Sequence, residues 1–183
     1  MVATAFLDTC VLYPAYLRDS LLRLAERGFF EPAWSASVLG ELRRNLLEAD
    51  LSSEAVHRTI AAMRVAFPAA EILGDHSLIP MLTCDEKDRH VLAAAVHEQC
   101  KLLVTLNLRD FPQSSTETHA VEVISPAAML LKFLDRRPAV VLEVLREQAA
   151  RYKREPKTVA GLLVALQKGG APRFADEVRT HLP

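Results

Sequence analysis

Leu102, Leu103 and Val104 are consecutive apolar residues between Lys101 and Thr105, and the run is too short for a helix. Such a run suits a strand covered on both faces, which is how strands of a parallel sheet read. Val2 to Leu7 is a second run of this kind, ending on Asp8 with Pro14 soon after, so a buried strand breaks there into a loop. Phe29 to Trp34, Ala70 to Leu73 and Val121 to Ile124 are further strand candidates.

Between these runs the apolar spacing becomes helical. Leu17, Leu21, Leu22, Leu24 and Ala25 predict a helix over 15–27 with Gly28 as its C-cap. Val38, Leu39, Leu42, Leu46 and Leu47 predict another, capped by Ser35 or Ser37, with Glu41 and Asn45 bordering its apolar stripe. A helix from Ser52 to about Val65, a loop from His76 to Thr83 and a helix over Lys87 to Gln99 follow. Strands alternating with helices of this length argue for an α/β fold, a parallel β-sheet flanked by helices. Ligand sites in such folds lie at the carboxyl ends of the strands, where Asp8 and Asn107 fall. From Pro126 the chain reads as all helical, with breaks near Pro138, Pro156 and Gly169 to Pro172. The expected division is a domain over 1–136 and a helical C-terminal extension over 137–183.

Charge separates along the same line. The net charge of −1 hides 17 acids against 11 Lys and Arg in residues 1–126, and 6 against 11 in residues 127–183. An acidic body suits a cation site, and a basic tail suits a polyanion or an acidic partner, although a solvated helix surface has the same composition. Three cysteines, Cys10, Cys84 and Cys100, form no paired spacing, which fits a reducing compartment. The first residues carry no basic region, and no window approaches the roughly 18 apolar residues of a spanning helix. The expectation is a soluble, cytoplasmic protein without a membrane partner.

Four acids stand out by position: Asp8, Glu41, Asp88 and Asp110. Each has an ordinary alternative. Asp8 and Asp110 suit turns, Glu41 suits a solvated helix face, and Asp88 suits the first turn of a helix, where the dipole favours anions. Asp85 is the better N-cap, which leaves Asp88 for a site. Thr105, Asn107 and Asp110 all offer oxygens just past a strand end. Several carboxylates around one point repel without a cation, and oxygen ligands select a hard one such as Mg2+ or Mn2+. Arg43, Arg44, Arg89 and Arg109 lie beside these acids and are candidate phosphate contacts. His90 is a candidate ligand whose ordinary reading is structural, and Thr9 and Ser37 are candidate hydrogen-bond partners.

The segments FLDTCVL, SASVLGELRRNL, CDEKDRHVLAAAV and LLVTLNLRDFP resemble the four acidic motifs of PIN-domain ribonucleases, particularly the VapC-like toxins of type II toxin–antitoxin systems. The likeness spans about residues 2–125. The tail, with PRFADEVR near its end, resembles an extension carried by some of that group. The resemblance implies a PIN-like fold and metal-dependent cleavage of RNA. Asp8 and Asp110 would hold the cation, with Glu41 and Asp88 completing its surroundings and orienting or deprotonating the attacking water. Asp88 also counts among the implied metal ligands. In some relatives the loop ligand falls at Asn107, so the role is shared between Asn107 and Asp110, with charge favouring the latter. A VapB-like antitoxin and a homodimer are the partners implied.

Three rivals remain to be weighed. Enzymes with an Asp nucleophile after the first strand carry a second Asp two residues on, where Cys10 stands here. Neither a glycine-rich dinucleotide fingerprint nor a P-loop lysine motif is present. A catalytically silent PIN-type module that binds RNA or protein has no need of a repulsive carboxylate cluster.

Overall fold

The structure is a computed structural model that describes residues 2–74 and 76–182. Five parallel strands form one sheet: β1 (Thr4–Leu7), β2 (Glu31–Ser35), β3 (Glu71–Ile72), β4 (Leu102–Val104) and β5 (Glu122–Ile124). Their order is β3-β2-β1-β4-β5. The chain winds outward one way from β1 through β2 and β3, then returns to β1's other side for β4 and β5. The reversal lies between β1 and β4, the place where open α/β sheets bind ligands. Ala5 pairs with Leu102 and Leu7 with Val104 across it. Ala5, Phe6, Leu7, Leu103 and Val104 are all buried, as uninterrupted apolar runs require.

The chain divides into two compact units, residues 1–13 with 30–124, and residues 14–29 with 125–183. The break expected after Arg136 coincides with a helix junction inside the second unit. The sheet belongs to the first unit, with helices α1 (Thr9–Leu12), α3 (Ala36–Glu48), α4 (Ser53–Ala66), α5 (Arg89–His97) and α6 (Gln113–Thr116). Helix α2 (Ala15–Glu26) belongs to the second unit, with α7 (Pro126–Arg136), α8 (Pro138–Arg151), α9 (Val159–Lys168) and α10 (Pro172–Thr180). The sequence placed α2 in the body of the protein because it lies between two strands. Its apolar face instead joins the C-terminal helices.

Several helix ends are set by the residues that predict them. Ser35 caps α3 by accepting from the Val38 N–H, and Ser52 does the same for α4 from Ala55. Gly28 adopts φ +72° and closes α2, a conformation costly for other residues. Two expectations differ. His76–Met81, read as loop, is a 3-10 helix, with the fixed φ of Pro80 inside it. The helix expected over Lys87 to Gln99 splits into a 3-10 turn, Glu86–Asp88, and α5. The Asp85 side chain accepts from the Lys87 N–H and tightens that first turn, and Gln99 at φ +53° ends α5 early.

The second unit has its own core and one buried polar network. Gln148 is fully buried, accepting from the Ser20 hydroxyl at 2.7 Å and donating to the Tyr16 carbonyl at 3.0 Å and the Tyr152 hydroxyl at 2.8 Å. Tyr152 donates in turn to Asp19 at 2.6 Å. Every polar atom of that amide is thereby satisfied, which is what makes its burial tolerable. Among the described residues no helix is long and apolar enough to cross a membrane.

Candidate functional site

Asp8 follows β1 directly and is only 4% exposed, so its carboxylate is desolvated and must be partnered. The Thr105 hydroxyl, just past β4, donates to Oδ2 at 2.7 Å, and the Cys10 thiol reaches the same oxygen at 3.0 Å. The Asp8 N–H continues the ladder by donating to the Val104 carbonyl at 3.1 Å. Both strands at the sheet's reversal therefore hold this carboxylate. Burial, then the charge of Asp8, pushes the Cys10 thiol up to about 12, so it stays a protonated donor and offers no thiolate.

Asp88 ends the 3-10 turn before α5 and makes no capping bond, since Asp85 has taken that duty. Burial raises its carboxyl to about 6, and the negative charges of Asp8 and Asp110 contribute to that rise. Asp110 closes another 3-10 turn, Leu108–Asp110, and its carbonyl accepts from the Asp85 N–H at 3.0 Å, tying the two loops together. Asp8, Asp88 and Asp110 thus share one electrostatic neighbourhood at the carboxyl ends of β1 and β4. Among the described residues no three His, Cys, Asp or Glu side chains stand at mutual metal-ligating spacing. Coulombic repulsion reaches further than a ligand bond, so the two observations are compatible. The donors are carboxylate oxygens with excess negative charge, a set that fits a hard divalent cation.

Glu41 is placed differently. Its Oε2 accepts from the Thr9 hydroxyl at 2.7 Å, and its Oε1 lies 3.1 Å from His90 Nε2. The His90 contact has ion-pair distance but is bent away from hydrogen-bond alignment. The His90 Nδ1 is anchored 2.8 Å from the Lys87 carbonyl. His90, then Thr9, hold the Glu41 carboxyl below its ordinary range against the opposing effect of burial. Contact with Glu41 raises His90 in return, against its own burial.

The other expected residues scatter. Asn107 is exposed, and its contribution is a main-chain N–H donated to Thr105 Oγ1 at 3.0 Å. Arg43, Arg44 and Arg109 are exposed, whereas Arg89 is half-buried and donates from Nε to the Cys84 carbonyl at 3.3 Å. Ser37 is exposed while Ser35 caps the helix. The sequence did not reveal the Glu41–His90 pair or the Cys10 contact to Asp8. The spacing between Asp88 and His90 gives no hint of the first, because Glu41 lies on another helix. Cys10 was legible only as a departure from another enzyme pattern.

The PIN-domain family profile matches residues 4–109, and the VapC50 C-terminal domain profile matches residues 126–180. A relative from Mycobacterium tuberculosis strain H37Rv, provisionally named ribonuclease VapC50, is 34% identical over 110 residues, covering 60% of this chain. The match spans 64% of that relative's length. No solved structure matches. With the profile covering more than half its length and the parallel sheet in place, the chain belongs to the PIN-domain family.

Proposed function

We propose that the chain is a metal-dependent endoribonuclease, the toxin of a VapBC-type toxin–antitoxin pair, hydrolysing RNA phosphodiester bonds with a water activated at Mg2+ or Mn2+. The observation that carries this reading is the placement of a buried Asp8, held by Thr105 where β1 and β4 adjoin, beside Asp88, whose carboxyl burial and the charges of Asp8 and Asp110 push up to about 6. A carboxyl raised by burial and by two neighbouring carboxylates in a strand-end site is at odds with a purely structural role, and a cation relieves the conflict.

Asp8, Asp88 and Asp110 would hold the ion, with Asn107 as the alternative loop ligand. A divalent cation supplies a lowered pKa for bound water and stabilises charge on the scissile phosphate. Asp8 is kept ready by Thr105 and Cys10, which fix its orientation. Glu41, held ionised by His90 and Thr9, is suited to accept a hydrogen bond from the attacking water and orient it. Arg43, Arg44 and Arg109 present exposed cations for RNA phosphates. Arg89 has a backbone acceptor already and is the weakest candidate of the four.

The relative's provisional name, ribonuclease VapC50, supports the ribonuclease part of this reading. A VapB-like antitoxin, a homodimer and a cytoplasmic location belong to the same proposal, as does a role for the basic C-terminal helices in docking RNA or the antitoxin. Purified protein incubated with RNA should cleave only with Mg2+ or Mn2+, and Asp8→Asn should not cleave. Cleavage that survives excess chelator, or survives in Asp8→Asn, refutes the metal mechanism. Induced expression followed by mapping of RNA ends tests the toxin role, with new ends and growth arrest expected for wild type alone.

A further inference from the structure

A cavity of about 200 Å3 opens beside the carboxyl ends of β2 and β3, lined by Ser35, Ser37, Ile72, Leu73, His90 and Ala93 among others. Register explains its position: Ser35 pairs with Ile72 at the last rung of the sheet's edge, and both strands stop there. The cavity is smaller than the ~300–1,000 Å3 of sites that take a whole drug-sized ligand, so it takes a single compact group.

Its two kinds of wall differ in chemistry. Ile72, Leu73 and Ala93 are apolar, and Leu73 is 82% exposed and so open to an incoming ligand. The rest of the lining includes a set of donors. Ser35 is 4% exposed and its oxygen accepts from the Val38 N–H at 3.2 Å, yet its own proton has no acceptor among the described residues. The Ser37 hydroxyl and the first N–H groups of α3, which have no partner within the helix, add to it. A flat group with apolar faces and acceptor atoms on one edge fits both walls, and a nucleobase carbonyl edge has that form. A phosphate would satisfy the donors and waste the apolar wall.

The third wall is His90, whose Nε2 lies 3.1 Å from Glu41 Oε1. An occupant of the cavity is therefore one side chain away from a carboxylate assigned to the reaction. We propose that this cavity is a base subsite that takes the carbonyl-bearing edge of a nucleotide next to the scissile phosphate. The inference rests on the ribonuclease reading for its biological meaning, but the site's ligand chemistry is testable without cleavage.

The full chain, without added metal, is titrated with guanosine, with uridine and separately with inorganic phosphate while the backbone amide resonances of Ala36, Ser37 and Gly74 are followed. A nucleoside is expected to shift these amides saturably, phosphate alone is not, and Ser37→Phe should weaken nucleoside binding about tenfold or more. Leu73→Ala, at an exposed position with no core role, should weaken it in the same direction. In cleavage assays over RNAs varied one nucleotide at a time, both variants should flatten the preference at one position beside the cut. Amides unmoved by either nucleoside, an equal response to phosphate, or nucleoside affinity unchanged in both variants overturns the subsite. A wild-type chain that binds nucleosides here but cleaves no RNA overturns the ribonuclease reading and leaves the subsite standing.

Discussion

Thr105 donates its hydroxyl to Asp8 Oδ2 at 2.7 Å across 97 residues of sequence, because β4 lies beside β1 in the sheet. Both residues are buried, at 0% and 4% exposure, so the bond is not exchanged for one to water. Thr105→Val keeps the shape and removes the donor. It should cost about 1–3 kcal/mol of stability, read from urea unfolding. Affinity for Mn2+ by calorimetry should fall by about 10–100-fold, because the carboxylate loses its orientation.

Asp8→Asn should reduce RNA cleavage by at least about a hundredfold while leaving the far-ultraviolet circular dichroism spectrum unchanged. The amide keeps the acceptor oxygen for Thr105 and loses the charge. Wild-type rates in this variant would separate the charge from the reaction.

Asp88 gives the site a pH signature. Its folded carboxyl titrates near 6 against an ordinary 3.8, so the folded state binds the proton more tightly than the unfolded chain. Its contribution to stability is fully present below about pH 4 and is lost as pH rises through about pH 6. Thermal melts of metal-free wild type and Asp88→Asn, compared across that window, should therefore converge at low pH and diverge above it. The asparagine variant should be the more stable at neutral pH by no more than about 1 kcal/mol, since solvent screens the half-buried Asp88 carboxylate. A constant difference across the window contradicts the shared field of Asp8, Asp88 and Asp110.

Cation binding should reverse that penalty. At a free Mn2+ concentration about 100 times the dissociation constant, the native state gains about 2.7 kcal/mol, provided the unfolded chain does not bind. The gain should vanish in Asp8→Asn, and differential scanning fluorimetry is enough to see it. An equal rise in melting temperature for both proteins would place the ion elsewhere.

Gln148 probes the second unit on its own. Gln148→Ala leaves a cavity in the unit's core and removes the bonds of its amide to Ser20 and Tyr16, while the Ser20 hydroxyl keeps the Tyr16 carbonyl, 3.0 Å away, as its acceptor. The cost should be about 2–4 kcal/mol, read from denaturant midpoints. The same network limits truncation as a tool: cutting the chain after Arg137 would remove the partners of α2's buried Leu17, Leu21 and Leu24 within that unit. Neutralising Arg151, Lys153, Arg154 and Lys157, all exposed, is the cleaner test of the basic tail. It should weaken RNA binding and reduce the slope of log affinity against log salt by about 0.7 for each RNA phosphate left without its cation.

The sequence alone determined the local elements. Apolar runs marked β1 and β4, Ser35 and Ser52 marked helix starts, and Gly28 marked a helix end, because each depends on chemistry within a few residues. The candidate acids were legible for the same reason, as carboxylates at strand and helix ends. Tertiary structure alone decided their relations. Strand order put Thr105 on Asp8, and folding brought His90 of α5 to Glu41 of α3, pairings that no spacing along the chain encodes. It also moved α2 into the unit of the C-terminal helices, because the burial of an amphipathic face depends on which distant face complements it. Electrostatics belongs to the same class: the sequence marks Asp88 as a site acid but says nothing of its ionisation. Its carboxyl rises to about 6 only where the fold buries it and sets Asp8 and Asp110 nearby.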